Sequence, residues 1–204
     1  MPHDADNLPL ILASASPQRG RLLSEAGFPH DVRPCPLAEP TNRPSACGPA
    51  AWAMALAYFK ARYVAEQLAD RWVLGADTIV AIPADRANVD ADILGKPRDL
   101  DDARRMLKAQ ARVECAVITG ICLTRVGETA ERLVLSVATR VRMRDDEGAR
   151  EAYLASGDWL GKAGAYGIQT VGDALVESIT GSFSNVVGLP MEVVAGLLRA
   201  RETP

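Results

Sequence analysis

Leu10-Ile11-Leu12-Ala13-Ser14-Ala15-Ser16-Pro17-Gln18-Arg19 passes within ten residues from an apolar run to a helix start. Leu10–Ala13 reads as a buried strand. Ser16 is a good N-cap and Pro17 fits the first helical position. Leu22, Leu23 and Ala26 then mark one face, and Gly27 stops the helix. A strand running into a helix start presents free backbone N–H groups and the positive end of the dipole. Ser14, Ser16 and Arg19 either complete an anion cradle there, or Ser16 is a plain cap beside a surface arginine. It is not a P-loop, because G-x-x-x-x-G-K-[ST] is absent.

Working outward, Pro34 to Pro49 holds five prolines and reads as an extended loop. Ala50 to Asp70 is the clearest helix, with Trp52, Leu56, Phe59 and Tyr63 forming its apolar stripe. Trp72 to Ile82 is β-rich: a strand, a special stretch at Gly75-Ala76-Asp77-Thr78, and a continuation. Pro83 to Asp92 reads as a hairpin-type loop. Asp99 to Ala111 is a helix with Asp99 as its cap. Val113–Arg125 and Leu133–Met143 are strands joined around Gly127. The second puts Leu133, Leu135, Val137, Thr139, Val141 and Met143 on one face and Arg140, Arg142 and Arg144 on the other, solvated or facing an anion. Asp145–Ser156 is helical, Gly157–Gly188 is glycine-rich, and Met191–Arg199 closes the chain as a helix. Interspersed helices and strands indicate an α/β fold on a mixed sheet. No internal repeat or linker separates domains.

Composition narrows the class. The 204 residues suit one domain, which can bury roughly 70% of its unfolded surface. With 48% hydrophobic and 24% charged residues the chain is not disordered. A formal charge of −3 argues against a general nucleic-acid binder, though not against a local cation cluster. No apolar run approaches the roughly 18–20 residues of a membrane helix, and no signal peptide is legible. Cys35, Cys47, Cys115 and Cys122 lack zinc-site or disulfide spacing, which points to reduced thiols in the cytoplasm. With only His3 and His30, a Ser-His-Asp triad is implausible.

Four constellations could carry chemistry. The strand-to-helix stretch is the first. Asp77 and Thr78, inside an apolar segment, are the second: a buried carboxylate needs a partner or a metal, as general base or ligand, unless Asp77 merely caps a turn. Lys96, between Gly95 and Pro97, and Lys60, at the edge of the long helix's buried face, are cations suited to phosphate or simply solvated and snorkelling side chains. Last comes Gly161 to Gln169, where small residues permit close approach to a ligand, Gln169 could read a base edge, and Tyr166 could stack or be core. Three cations, a helix start, one carboxylate and an amide fit a small molecule bearing phosphates and a base.

The ordered blocks LASASPQR, GADTIV, GKP, VITG, KAGAYGIQ and NVVGLP resemble the Maf family of nucleotide pyrophosphatases from Leu10 to Pro190. The resemblance implies a Maf/ITPase-like α/β fold: an elongated mixed sheet with flanking helices, one domain over residues 1–204 with two lobes around a central cleft. It implies hydrolysis of a nucleoside triphosphate to the monophosphate and pyrophosphate with a divalent cation, Mg²⁺, Mn²⁺ or Co²⁺. By position, the catalytic aspartate matches Asp77, the phosphate-binding arginine Arg19, the lysines Lys60 and Lys96, and a metal or water partner Glu39. Ser14 and Ser16 would hold phosphate oxygens. In the dTTP/UTP subgroup the specificity positions are those of Gln18, Thr78 and Gln169. Thr78 and Gln169 match, but Gln18 stands where that subgroup has arginine. The aromatic residue and late glutamate of the 7-methylguanosine subgroup are missing, and Cys115 stands where the family often has histidine. The family also implies a cytoplasmic house-cleaning enzyme, once linked to septum formation, and suggests a homodimer.

The expected mechanism is in-line attack of water on the α-phosphorus. Asp77 activates the water, the cations neutralise the triphosphate, and Thr78 and Gln169 read a pyrimidine. The competing class is a non-catalytic nucleotide-binding regulator of septum formation, which has less need of two acids beside phosphates. A nucleic-acid binder using Arg140, Arg142 and Arg144 ranks below both.

Overall fold

The computed structural model describes residues 8–82, 93–127, 130–168 and 173–202. Its sheet has seven strands: β1 (Leu10–Leu12), β2 (His30–Val32), β3 (Val73–Ala81), β4 (Ile93–Leu94), β5 (Glu114–Arg125), β6 (Glu131–Met143) and β7 (Val176–Thr180). Their order is β2-β1-β3-β5-β6-β7, with β4 paired to β3. The sheet is mixed: β1 runs parallel to β2 and β3, while β3–β4 and β6–β7 are antiparallel. The helices are α1 (Pro17–Glu25), α2 (Pro49–Ala65), α3 (Leu100–Gln110), α4 (Glu147–Ser156), α5 (Phe183–Val187) and α6 (Met191–Glu202). None is long and apolar enough to cross a membrane among the described residues.

The chain divides into two compact units, the first formed by residues 1–77, 119–137 and 188–204, the second by 78–118 and 138–187. In the first unit, strand alternation sorts the apolar side chains by face. Leu10, Leu12, Trp72, Leu74, Ala76, Ile121 and Leu123 pack with Leu23 of α1 and with Val194 and Leu198 of α6. Ile11, Ala13, Val73 and Cys122 point the other way and pack with Ala57, Ala61, Val64 and Ala65 of α2.

The packed face of α2 is not the aromatic stripe expected from the sequence. Trp52, Phe59 and Tyr63 are only half-buried. The buried residues are Ala53, Leu56, Ala57, Lys60, Ala61, Val64 and Ala65. Strand glycines explain the choice. A Cβ on Gly75 would lie 2.4 Å from the Ala57 carbonyl oxygen, and one on Gly120 would lie 2.2 Å from that of Ala53. Two glycines facing alanines let helix backbone lie directly on strand backbone, and large aromatic side chains do not fit in that gap. Lys60 is thereby carried into the buried face rather than left at its edge.

The second unit buries Val80, Leu94, Leu107, Val141, Met143, Trp159 and Leu175 in one core. Asp99 caps α3 by accepting from the Asp102 N–H at 2.8 Å, as the sequence predicts. On β6, Thr139, Val141 and Met143 are buried and Arg140, Arg142 and Arg144 exposed, but Leu133 is also exposed, so the expected alternation holds only in the strand's second half. Arg142 meets Glu177 at 3.1 Å and Arg140 meets Glu114 at 3.7 Å, so this face is charge-paired. The stretch 157–188 resolves into a short 3-10 turn at Ala163–Ala165, then β7 and α5. Gly164, at φ 66°, approaches Val80 and Gln110 of the same unit rather than open space for a ligand. Tyr166 packs on the core with its ring 5.0 Å from that of Tyr153. The hairpin-type loop read at Pro83–Asp92 lies outside the described residues.

Candidate active site

β3 is one unbroken strand across the stretch that the sequence marked as special. Its alternation decides where Asp77 goes. Val73 faces α2, Gly75 touches α2, and Asp77 follows on the same face. Lys60 comes from α2, one turn beyond the Ala57 contact that Gly75 permits. The Lys60 Nζ reaches Asp77 Oδ1 at 2.5 Å and Glu39 Oε1 at 2.9 Å. The lysine and aspartate side chains are 11% and 9% exposed, whereas Glu39 is 39% exposed. One ammonium thus bridges a buried and a half-open carboxylate. Two of its three N–H groups are used, and the third has no acceptor among the described residues. Leaving Asp77 in this apolar setting without the ammonium would be expensive.

Arg19 is placed differently from a surface phosphate ligand. It is buried, and its guanidinium donates from Nε to the Gly188 carbonyl at 2.8 Å and from Nη1 to Ser14 Oγ at 2.8 Å and the Ala76 carbonyl at 2.9 Å. Burial pushes its pKa down, and the charges of Asp77 and Glu39 push it back up. The fork binds α1 to β3 and to the segment entering α6, and it puts a positive charge near the Asp77–Glu39 pair without presenting a free face.

Ser14 is buried beside it, accepting from Arg19 Nη1 and from the Ser16 N–H at 3.3 Å. With both lone pairs taken, its own O–H is left to donate. Ser16 occupies the N-cap of α1 in extended conformation but makes no side-chain cap; its hydroxyl donates instead to Gln18 Oε1 at 3.1 Å. Gln18 is therefore held locally, half-buried, at the mouth of α1.

The structure gathers Ser14, Arg19, Glu39, Lys60 and Asp77 within the first unit. Thr78 begins the second unit; next to Asp77 on β3, it points to the opposite face of the strand. Lys96 is exposed in the second unit, between β4 and α3. Gln169 lies outside the described residues. Cys115 is buried, and burial pushes its thiol up to about 12, so no acid–base function is expressed there near neutrality. Sequence reasoning missed the carbonyls of Ala76 and Gly188, because backbone acceptors carry no residue signature. It also missed Gly75 and Gly120 as the contact surface for α2, although a glycine inside a strand is the legible sign of close backbone approach.

The donor set suits a hard divalent cation. Among the described residues no three His, Cys, Asp or Glu side chains cluster. Two carboxylates completed by water and substrate phosphates are the usual way Mg²⁺ is held at nucleotide sites.

Residues 9–201 match the family model described as Maf-like protein. The chain is 40% identical over 190 residues to a dTTP/UTP pyrophosphatase of Ruminiclostridium cellulolyticum, covering 93% of this chain and 94% of that protein. It is 42% identical over 198 residues to a dTTP/UTP pyrophosphatase of Anaeromyxobacter sp. strain Fw109-5, covering 96% and 90%. A dTTP/UTP pyrophosphatase of Syntrophotalea carbinolica is 40% identical over 205 residues, covering 97% and 87%.

Proposed function

The chain belongs to the Maf family, and from that premise we propose that it hydrolyses dTTP and UTP to the nucleoside monophosphate and pyrophosphate. Its activity is that of a nucleotide pyrophosphatase. The observation that carries the residue assignment is the Lys60 bridge between Asp77 and Glu39, set beside the buried charge of Arg19.

In this mechanism Asp77 orients the attacking water and takes its proton at Oδ2, the oxygen Lys60 does not engage. Lys60 donates from its ammonium to a phosphate oxygen and offsets the charge that develops on the triphosphate. The Ser14 O–H donates to another phosphate oxygen, its direction set by the two bonds it already accepts. Arg19 holds Ser14 and the end of β3 in place and adds long-range positive potential. By the family resemblance Lys96 would bind phosphate, and Thr78 and Gln169 would read the pyrimidine. Asp77 and Glu39 would hold Mg²⁺, Mn²⁺ or Co²⁺, which supplies Lewis-acid polarisation of water and phosphate. A house-cleaning role in the cytoplasm completes the proposal.

The test is pyrophosphate release from dTTP and UTP by wild type and Asp77→Asn, with each cation in turn. The substitution is near-isosteric but removes the base together with the charge that pairs Lys60, so the expected loss in kcat is at least about 10²–10⁴-fold, with a lowered melting temperature from the unpaired ammonium. Near-wild-type turnover by this variant would sink the assignment.

A further inference from the structure

Lys60 has two functions that exclude each other in time. Its ammonium now sits on both carboxylates that would hold the divalent cation, at 2.5 Å from Asp77 Oδ1 and 2.9 Å from Glu39 Oε1. A cation taking those oxygens meets a positive charge already in hydrogen-bond contact with them, and the Arg19 guanidinium adds a second. We propose that Lys60 is the resident counter-ion of the Asp77–Glu39 pair, competing with the divalent cation for it, and that it gives up the pair only when a triphosphate offers its oxygens in exchange.

Three features support the exchange. The helix carrying Lys60 is locked by backbone contact at Gly75 and Gly120, so the Cα stays in place while the four-carbon stem swings. Glu39 is the open member of the pair, in the loop before α2, and is the oxygen a hydrated cation reaches first. A lysine is a compact, mobile point charge with rotatable donors, unlike the planar fork of Arg19, which is fixed by three acceptors. The enzyme without nucleotide then keeps its buried carboxylate neutralised from within, and the cation enters with the substrate rather than before it. This inference rests on the proposed activity only for the identity of the displacing anion.

The test is Mn²⁺ binding to the nucleotide-free protein, read by the loss of the free-ion electron paramagnetic resonance signal. Lys60→Met removes the competing charge and is expected to bind Mn²⁺ at least tenfold more tightly than wild type. Lys60→Gln, which removes the charge but keeps a polar N–H donor, repeats the comparison in a second variant. Adding Glu39→Gln to either should abolish the gain, locating it at this pair. Equal or weaker binding by both lysine variants would overturn the proposal. So would tight Mn²⁺ binding by unmodified protein, read as a rise in its melting temperature at low Mn²⁺ without nucleotide; this measurement needs no variant. Failure to hydrolyse dTTP or UTP with any cation would remove the functional reading but leave the tenfold gain intact, so the two can fail separately.

Discussion

Gly75 of β3 and Ala57 of α2 meet backbone to side, with space for no atom between them: a Cβ on Gly75 would fall 2.4 Å from the Ala57 carbonyl oxygen. That contact sets the height at which α2 rides over β3, and so the reach from Lys60 to Asp77. Gly75→Ala must push helix or strand aside, an overpacking that costs about 1–3 kcal/mol. The melting temperature should drop, and kcat should fall with it even though no catalytic side chain changes. Gly196→Ala is the matched control. It lies in α6 with nothing within 4 Å of its added Cβ. A helical glycine replaced in open space should gain about 0.5–1 kcal/mol and leave turnover alone. Differential scanning calorimetry and a dTTP assay on both variants check this pair.

The fork of Arg19 cannot be supplied by lysine. Arg19→Lys keeps the charge but loses the simultaneous bonds to Gly188, Ser14 and Ala76, leaving buried acceptors unmet at about 1–3 kcal/mol each. Urea denaturation should show lower stability together with lower kcat/KM. A phosphate ligand exposed on the surface would behave otherwise, with stability unchanged and only KM raised.

Ser14→Ala tests the donor left by hydrogen-bond saturation. Losing a hydrogen bond to a charged phosphate costs about 1.5–3 kcal/mol, roughly 10–100-fold in KM. Inhibition by inorganic pyrophosphate should weaken in parallel. If inhibition is untouched, Ser14 serves only to seat Arg19.

Alkaline pH should loosen the fold before acid does its usual damage to buried carboxylates. Burial pushes Cys115 and Cys122 from 9.0 to about 12, and Tyr153 from 10.0 to about 12. Each holds its proton more tightly folded than unfolded. Their contribution is complete below the unfolded values and is lost as pH rises from about 9 towards 12. Urea midpoints should be flat up to about pH 8.5 and then decline steadily. At pH 8 a thiol reagent should modify only Cys35 and Cys47 in the native protein, and all four thiols after unfolding.

Much of this fold is legible from chain patterns, because strands and capped helices announce themselves locally. Leu10–Ala13 before a helix opening at Pro17, Asp99 before α3, and the long helix read at Ala50–Asp70, which ends at Ala65, follow from residue type and period, although Ser16 makes no side-chain cap. What misleads is the face of α2. Aromatic residues at helical spacing dominate any hydrophobicity count, yet the tight contact selects alanines, because the partner strands supply glycines, Gly75 and Gly120, far away in the chain. The site divides in the same way. Asp77, Lys60 and Glu39 can each be picked out by chemistry or resemblance, but their sharing of one ammonium depends on which strand face position 77 occupies. Arg19 reads from sequence as a phosphate-cradle cation or a surface arginine, and not as a structural fork, because its acceptors at Ala76 and Gly188 are carbonyls, which every residue carries.

The Arg19 fork also has a meaning for how the protein is made. Its three acceptors lie 5, 57 and 169 positions along the chain. The last is Gly188, where the third stretch of the first unit begins. A ribosome has therefore delivered Ser14, Lys60 and Asp77 long before the segment that completes their frame leaves the exit tunnel. Contacts of this span form late and slowly. The nascent chain carries its reactive carboxylates in an unfinished scaffold until Gly188 has emerged, and it becomes competent only after that.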